Sequence, residues 1–327
     1  MAVTLRQLAH AQALARLRSF RAAAESLHLS QPALTRSIRS LEKALGVPLF
    51  DRLSTGVEPT VFGDAFLGKA QLVLQNQDDM LREVQLLRGL EKGTLRVCAG
   101  PYPHDLHVPR VAATLAASYP GLSCRLALAN WREVTAQVLA RRADVGVADV
   151  GAATGHDLLR AEPVGRHRLY FFCRPQHRLS RLKSPTLRDL LGVPWVSTRV
   201  PLRLAAELRR QQVQAGAIDP ETGDFLPAWE VEVVDAAKRI VATSDCVGAG
   251  LLTQFEGELA SGALVALPFE ADWLHTDYSF ITLRNRTVSP AAAAFMALFR
   301  QFDAELVGRE SALRRLLGRR PAARKRA

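Results

Sequence analysis

The stretch from Ser19 to Arg52, SFRAAAESLHLSQPALTRSIRSLEKALGVPLFDR, constrains this chain more than any other, because it writes two short helices around a tight turn. Ala22, Ala23 and Ala24 are small enough to let helices cross closely, and Leu27 anchors a core just before a turn at His28 and Leu29. Ser30 stands at an N-cap position, and Pro32 falls in the first turn of the second helix, where its missing N–H costs no intrahelical bond. Leu34, Ile38, Leu41 and Leu45 recur at helical spacing as one apolar stripe, and Gly46 followed by Pro48 ends the helix. The stripe predicts the core side.

The opposite side of that helix carries Pro32, Arg36, Arg39 and Lys43, flanked by Thr35 and by Gln31 at the N-terminus. Gln bonds adenine bidentately, Arg bonds guanine, and the methyl of Thr touches thymine, so the face reads as one built for the major groove. An isolated amphipathic helix would have an ordinary solvated face, but a helix-turn-helix context favours DNA.

AAAESLHLSQPALTRSIRSLEKALGVPLFDR resembles the N-terminal signature of LysR-type transcriptional regulators in its paired alanines, its S-Q-P-A, its I-x-x-L-E and its L-F-x-R. The resemblance implies a winged helix-turn-helix in which Leu49, Phe50, Asp51 and Arg52 enter the wing and Arg52 reaches the DNA backbone or minor groove. DNA contact is accordingly expected from Gln31, Pro32, Thr35, Arg36, Arg39 and Arg52. The chain departs from the family pattern in three places. Arg18 replaces the usual glycine before Ser-Phe, the wing (Leu53-Ser54-Thr55-Gly56) lacks a second arginine, and Pro59-Thr60 replaces a leucine-threonine start.

From Phe62 to Leu90 there is no proline, and Phe66, Val73, Met80 and Leu87 recur every seventh residue, as do Leu67, Leu74 and Leu81, with Ala70, Gln77 and Val84 between them. A heptad pattern held this long predicts one helix that pairs with a second copy, and Gln77 inside the seam would set register. The corresponding segment of LysR-type proteins is the dimerising linker helix. A homodimer is expected, with a homotetramer as its possible doubling, and the resemblance leaves contact with RNA polymerase open.

Beyond Gly93 the chain alternates strands and helices. Leu95–Ala99, Leu122–Leu128 and Asp144–Ala148 are expected strands separated by helices at 108–118 and Trp131–Ala140, an order that calls for a parallel sheet. A second set follows, with strands at Leu169–Cys173, Trp195–Val196, Trp229–Val233, Val247 and Leu264–Leu267, and helices at Pro201–Ala215 and Asp235–Ala242. The chain returns through Tyr278–Leu283 to a last amphipathic helix, Pro290–Leu306. Two α/β lobes joined by two crossings make a hinged binding module, which the resemblance likens to periplasmic binding proteins. Its landmarks here are Leu95-Arg96-Val97, Tyr119-Pro120 and Ala143-Asp144-Val145-Gly146.

The expected fold class is therefore α/β, with an N-terminal winged helix-turn-helix (1–61), a linker helix (62–91) and a two-lobe effector domain (92–306). Lobe I takes 92–165 plus 271–306, lobe II takes 166–270, and 307–327 is a basic disordered tail. Ligands in such sheets sit at the C-terminal ends of strands, so the cleft is expected at Pro101, Tyr102, Trp131, Arg132, Asp149, Thr198, Arg199 and Val247. Arg132 and Arg199 would clamp a carboxylate while Tyr102 or Trp131 faces an apolar body, which makes an organic acid the expected small-molecule effector. Either arginine is otherwise a surface residue or a partner of Asp149.

Charge supports this division. The net charge is +11, but residues 61–308 are neutral: residues 1–60 carry +4 and residues 309–327 carry +7. The front excess coincides with the DNA-reading unit, as counterion-releasing phosphate contacts require. The tail, rich in arginine and poor in apolar residues beyond Leu317, reads as solvated, with a possible nonspecific DNA affinity. Cys98, Cys124, Cys173 and Cys246 are widely spaced, with no C-x-x-C, which argues against disulfides or zinc and for reducing cytoplasm. Each is expected to be a small core hydrophobe, with Cys246, in a glycine-rich turn, the one to check for redox reactivity. Neither a signal peptide nor a membrane-spanning run is legible.

An enzyme or an α/β binding protein with incidental DNA affinity is the rival reading. Gly248-Ala249-Gly250 starts like a dinucleotide loop, but Thr253 takes the third glycine's place. His104 and His107 lack the companion ligands of a metal site and are expected at the surface or cleft, and no G-x-S-x-G elbow is present. No enzyme, no cofactor and no metal are expected.

Overall fold

The computed structural model describes residues 3–53, 56–86, 93–149, 156–200 and 214–319. It divides into two compact units, Met1–Leu87 and Arg88–Ala327.

The first unit opens with α1 (Leu5–Leu17), started by a Thr4/Gln7 capping box. α2 (Phe20–Ser26) and α3 (Gln31–Leu45) follow, separated by a turn in which His28 adopts φ 54°. Ser30 caps α3 by accepting the N–H of Ala33, a device worth about 1 kcal/mol, and Gly46 closes it at φ 74°. Leu34, Ile38 and Leu41 are buried with Leu14, Phe20, Ala23 and Ala24. Leu45 is 37% exposed, because α3 leaves the core one turn before Gly46, so the stripe is shorter than the sequence suggests. Strands β1 (Phe50–Leu53) and β2 (Gly56–Pro59) form the wing hairpin, with Arg52 opposite Val57. At Gly63 an added Cβ would lie 2.1 Å from the backbone oxygen of Leu49, so only glycine lets the next helix start so close to the wing.

That helix, α4 (Val61–Leu86), has 26 residues and spans about 39 Å. Phe66 and Leu67 pack against the first unit's own core. Leu72, Val73, Met80, Leu81 and Val84 are each 44% or more exposed. The heptad repeat thus does two jobs, with its first turns seating the helix on its own domain and its later turns left apolar at the surface. Leu87, and the rest of the expected helix through 91, lie outside the described residues.

In the second unit β3 (Gly93–Ala99) is followed by α5 (Pro101–Leu106), α6 (Val108–Ser118), β4 (Leu122–Leu128), α7 (Trp131–Leu139) and β5 (Val145–Asp149). The three strands are parallel, as the βαβ order requires, with β3 in the middle. β6 (Leu159–Arg168) was not anticipated. It is an edge strand rich in arginine, and Pro163, which cannot donate to a ladder, is tolerated beside a register shift.

The chain crosses at Leu169 into β7 (Tyr170–Cys173), continues through α8 (Leu187–Leu191) to β8 (Trp195–Ser197), and resumes as a hairpin of β9 (Gly216–Ile218) and β10 (Phe225–Pro227). Then come β11 (Trp229–Glu230), α9 (Val234–Thr243), β12 (Val247–Gly250), α10 (Glu256–Ser261) and β13 (Val265–Ala266), giving a second sheet in the order β11-β8-β12-β7-β13. The helix expected at Pro201–Ala215 lies almost wholly outside the described residues. β14 (His275–Leu283) returns to the first sheet, antiparallel between β5 and β6, and completes the order β4-β3-β5-β14-β6.

The last helix, α11 (Pro290–Arg319), overturns the expectation of a disordered tail from residue 307. Its first half buries Phe295, Phe299 and Phe302 in lobe I. Its second half lays Leu313 and Leu317, one turn apart, on the core of lobe II. Glu310 accepts the N–H groups of Leu252 and Thr253, and Arg314 pairs with Glu270. Arginine-rich composition hid this face, because only every fourth residue has to be apolar. Residues 320–327 lie outside the described residues. No described helix is long and apolar enough to cross a membrane.

Two cysteine expectations also change. Cys124 is exposed on β4 and is no core residue, whereas Cys246 is buried in lobe II and presents no thiol to solvent. Burial pushes the Cys98 thiol up to about 11 and that of Cys173 to about 12.

Arg18 ends α1 in the left-handed region at φ 50°, which explains why a glycine suits this position. A non-glycine residue there costs on the order of 1 kcal/mol, and the ion pair Arg18 makes with Glu58 is exposed and returns little. Arg18→Gly is expected to raise the stability of the first unit by about 0.5–1 kcal/mol in urea denaturation. An unchanged or lower midpoint would show that the strain is absorbed elsewhere.

Candidate DNA-reading face and effector cleft

On α3, Gln31, Pro32, Arg36, Arg39 and Lys43 are exposed and Thr35 is half-buried, so the side opposite Leu34, Ile38 and Leu41 is polar along its whole length. Neither Arg36 nor Arg39 forms an ion pair with a described residue, which leaves both charges available to an outside anion. Arg52 projects from the wing with its guanidinium 4.5 Å from the centre of the Phe20 ring. Phe20 is buried, so its ring is a fixed shelf that holds the wing arginine by a cation–π contact.

Two positioning residues escaped the sequence reading. Glu42, the acid of the I-x-x-L-E motif, accepts the N–H groups of Leu49 and Phe50 at 2.8 and 3.2 Å, and so clamps the recognition helix to the wing. An acid on an otherwise basic helix was the available signal. Buried His10 lies 2.7 Å from the Ser37 hydroxyl, tying α1 to α3; burial, aided by the charge of Arg6, lowers its pKa. His10 offered no signal beyond a polar residue on an apolar face.

In the second unit the lobes enclose two adjoining chambers with volumes of about 60 and 50 Å³. Pro101, Tyr102, Trp131 and Asp149 line the first, with Asn130, Thr276 and Tyr278. Phe171, Trp195, Val200, Ala249, Trp273 and Leu274 line the second. Tyr102, Leu169, Thr198 and Arg199 line both. Six of the eight residues expected in the cleft are therefore brought together, each at a strand end or the helix start beyond it.

Arg132 and Val247 are not. Arg132 turns away from the chambers, stacks over Trp131 at 4.2 Å, and donates to Asp224 at 2.9 and 3.2 Å and to the Thr222 carbonyl at 3.0 Å. Its partner lies in the β9–β10 hairpin, a contact between distant segments that no local pattern announces. Val247 is fully buried in the lobe II core, because β12 runs on to Gly250 and its cleft end is Ala249, two residues further on the same face. Arg199 stays in the cleft but is held by Asp219 at 3.2 Å and Glu230 at 3.1 Å, and neither arginine has Asp149 as its partner in these bonds.

The wall behind the first chamber is also built from charge. Tyr278 is 1% exposed, and its ring lies 4.8 Å from that of His167. His167 and His107 approach the Asp303 carboxylate at 2.9 and 3.1 Å. Burial opposes ionisation of Asp303, but the two histidines prevail and hold it at about 2. His107 is thus a buried structural residue rather than a surface or cleft histidine, and no metal-binding cluster occurs among the described residues.

Replacing Phe20 with Leu removes the shelf but keeps the apolar fill. Phe20→Leu is expected to weaken DNA binding by about 0.5–1 kcal/mol, roughly two- to fivefold, with an unchanged salt slope because the Arg52 charge remains. Fluorescence anisotropy across a salt series measures both quantities. If Phe20→Leu weakened binding equally in an Arg52→Ala background, the ring would not act through Arg52.

Residues 5–64 match the family described as bacterial regulatory helix-turn-helix protein, lysR family, and residues 88–304 match the LysR substrate binding domain. The chain is 34% identical over 304 residues to the SDS degradation transcriptional activation protein of Pseudomonas sp. (strain ATCC 19151), covering 92% of this chain and 96% of that one. It is 33% identical over 307 residues to the HTH-type transcriptional regulator CbbR of Rhizobium meliloti (strain 1021), covering 90% and 91%. Full-length CbnR in complex with its target DNA shares the fold at a TM-score of 0.61 and 21% identity, over 92% of this chain and 100% of that one. Two family matches that together span most of the chain, in the order helix-turn-helix then two-lobe domain, make this protein a member of the LysR family of transcriptional regulators.

Proposed function

We propose that two copies of the chain pair through the exposed apolar face of α4 and present two α3 helices to successive major grooves of an interrupted dyad. The observation that carries the reading is the α3 face itself, where Gln31, Arg36 and Arg39 stand exposed over a fully buried apolar stripe. Gln31 and Pro32 at the helix N-terminus lie deepest in the groove, Thr35, Arg36 and Arg39 follow along it, and Arg52 holds the backbone beside it. Pairs of dimers form the tetramer, RNA polymerase is a further partner, and the protein works in the cytoplasm.

The cleft of the second unit is the effector site in this reading. A ligand that fits one lobe arrangement better than another shifts the population of that arrangement, and with it the spacing and bend imposed on DNA. The expected carboxylate clamp has lost its basis, since Arg132 and Arg199 are both already paired with carboxylates.

Selection of genomic fragments with the purified protein at physiological salt is expected to enrich a dyad. Arg36→Ala with Arg39→Ala should cost about 1–3 kcal/mol per lost base contact and relax the selected sequence, with the fold intact by circular dichroism. Undiminished selectivity would sink the reading-face assignment. Met80→Lys with Val84→Lys is expected to give monomers in sedimentation, and an intact dimer would refute pairing through α4.

A further inference from the structure

Among the described residues the cleft offers an anion no unshared cation. The first turn of α5 points its start at the first chamber, yet Pro101 and Pro103 have no N–H, so Tyr102 alone of its first three residues has a donor. At the start of α7, Asn130 Oδ1 already accepts the N–H groups of Arg132 and Glu133, both at 3.1 Å. Arg132 is committed to Asp224. Arg199, the one cationic side chain among the described lining residues, is held by two carboxylates, and Asp149 adds a third carboxylate to the wall. An anionic ligand would shed its water here without gaining an unshared cation, a transfer that is strongly unfavourable.

Two of its fully buried donors have no acceptor among the described residues. Trp131 Nε1 and the Tyr278 hydroxyl are buried without a hydrogen-bond partner among the described residues, and both side chains line the first chamber, 8% and 1% exposed. A buried donor without an acceptor is costly, so a ligand that supplies an acceptor gains by satisfying it. The adjoining chamber is walled by Phe171, Trp195, Trp273 and Leu274 and shares Tyr102, Leu169, Thr198 and Arg199 with the first. At about 60 and 50 Å³ the two together hold less than the roughly 150 Å³ that admits a single ring, so a ring enters as the lobes part.

From this arrangement we infer that the effector is a neutral, ring-sized molecule with a hydrogen-bond acceptor, such as an alcohol, aldehyde or amide. Its acceptor faces Trp131 Nε1 and the Tyr278 hydroxyl, and its apolar body lies toward the aromatic chamber. The inference rests on the proposal that the cleft is the effector site.

The test uses the full chain and single-ring probes matched in shape but not in charge, namely benzyl alcohol, benzaldehyde and benzamide against benzoate and benzylamine, read by ligand-observed NMR and titration calorimetry. At least one neutral probe is expected to bind, with benzoate at least tenfold weaker. Tyr278→Phe, which keeps the packing, and Trp131→Phe, which removes the N–H but keeps an aromatic ring, should each weaken the neutral probe by about tenfold. Benzoate binding best, neutral binding indifferent to both variants, or no binding by any probe overturns the inference. Ala249→Trp, which fills the second chamber, separates the two levels. Benzoate binding that Ala249→Trp abolishes would refute the charge class and keep the cleft as the site. Binding of any probe that survives Ala249→Trp would refute the cleft itself.

Discussion

Asp224 has no exposed surface, and burying its carboxylate without a partner would be costly. The partner is Arg132, from the other lobe, and the two hydrogen bonds between them set how the cleft closes. Breaking a pair with one buried partner costs far more than forming it gains, so the contact acts as a register pin rather than as a source of stability. It also holds the Arg132 guanidinium away from the cleft lining.

Other contacts hold the same arrangement. Tyr102 donates to the Ala249 carbonyl at 3.1 Å and Gln254 to Asp105 at 2.8 Å, both across the lobes. α11 runs from the lobe I core to the lobe II core as one helix of 30 residues. A hinge bridged by a continuous helix moves by sliding or tilting that helix, and small shifts of packed elements are the usual means by which such modules have two states. The His107–Asp303–His167 cluster sits where α11 meets β6, directly behind Tyr278, so the chamber wall and the bridging helix share one support. Gly165 leaves it room, since an added Cβ would lie 2.3 Å from Asp303.

Much of this was legible in order. Ser30, Pro32 and Gly46 mark α3 because caps and proline act within one turn, and Leu34, Ile38 and Leu41 mark its buried side because helical periodicity is local. The alternation of strands and helices announced two α/β lobes, and the strand-end rule found Pro101, Tyr102, Trp131, Asp149, Thr198 and Arg199. The failures share a cause. β6 looks like a charged loop until β14 pairs with it, the end of α11 looks like a tail until lobe II offers Leu313 and Leu317 a surface, and Val247 looks like a strand end until β12 proves longer.

The sequence by itself determined α3, its capping, its polar face and the two-lobe plan, because each follows from residues within a turn or a strand of one another. Only the tertiary structure decided which charges remain available. Arg132 and Arg199 read as cleft residues, Asp219, Asp224 and Glu230 carried no signal, and the pairing that joins them links positions up to 92 residues apart. Side-chain partnership at such separations depends on how two lobes are brought face to face, and no local periodicity records it.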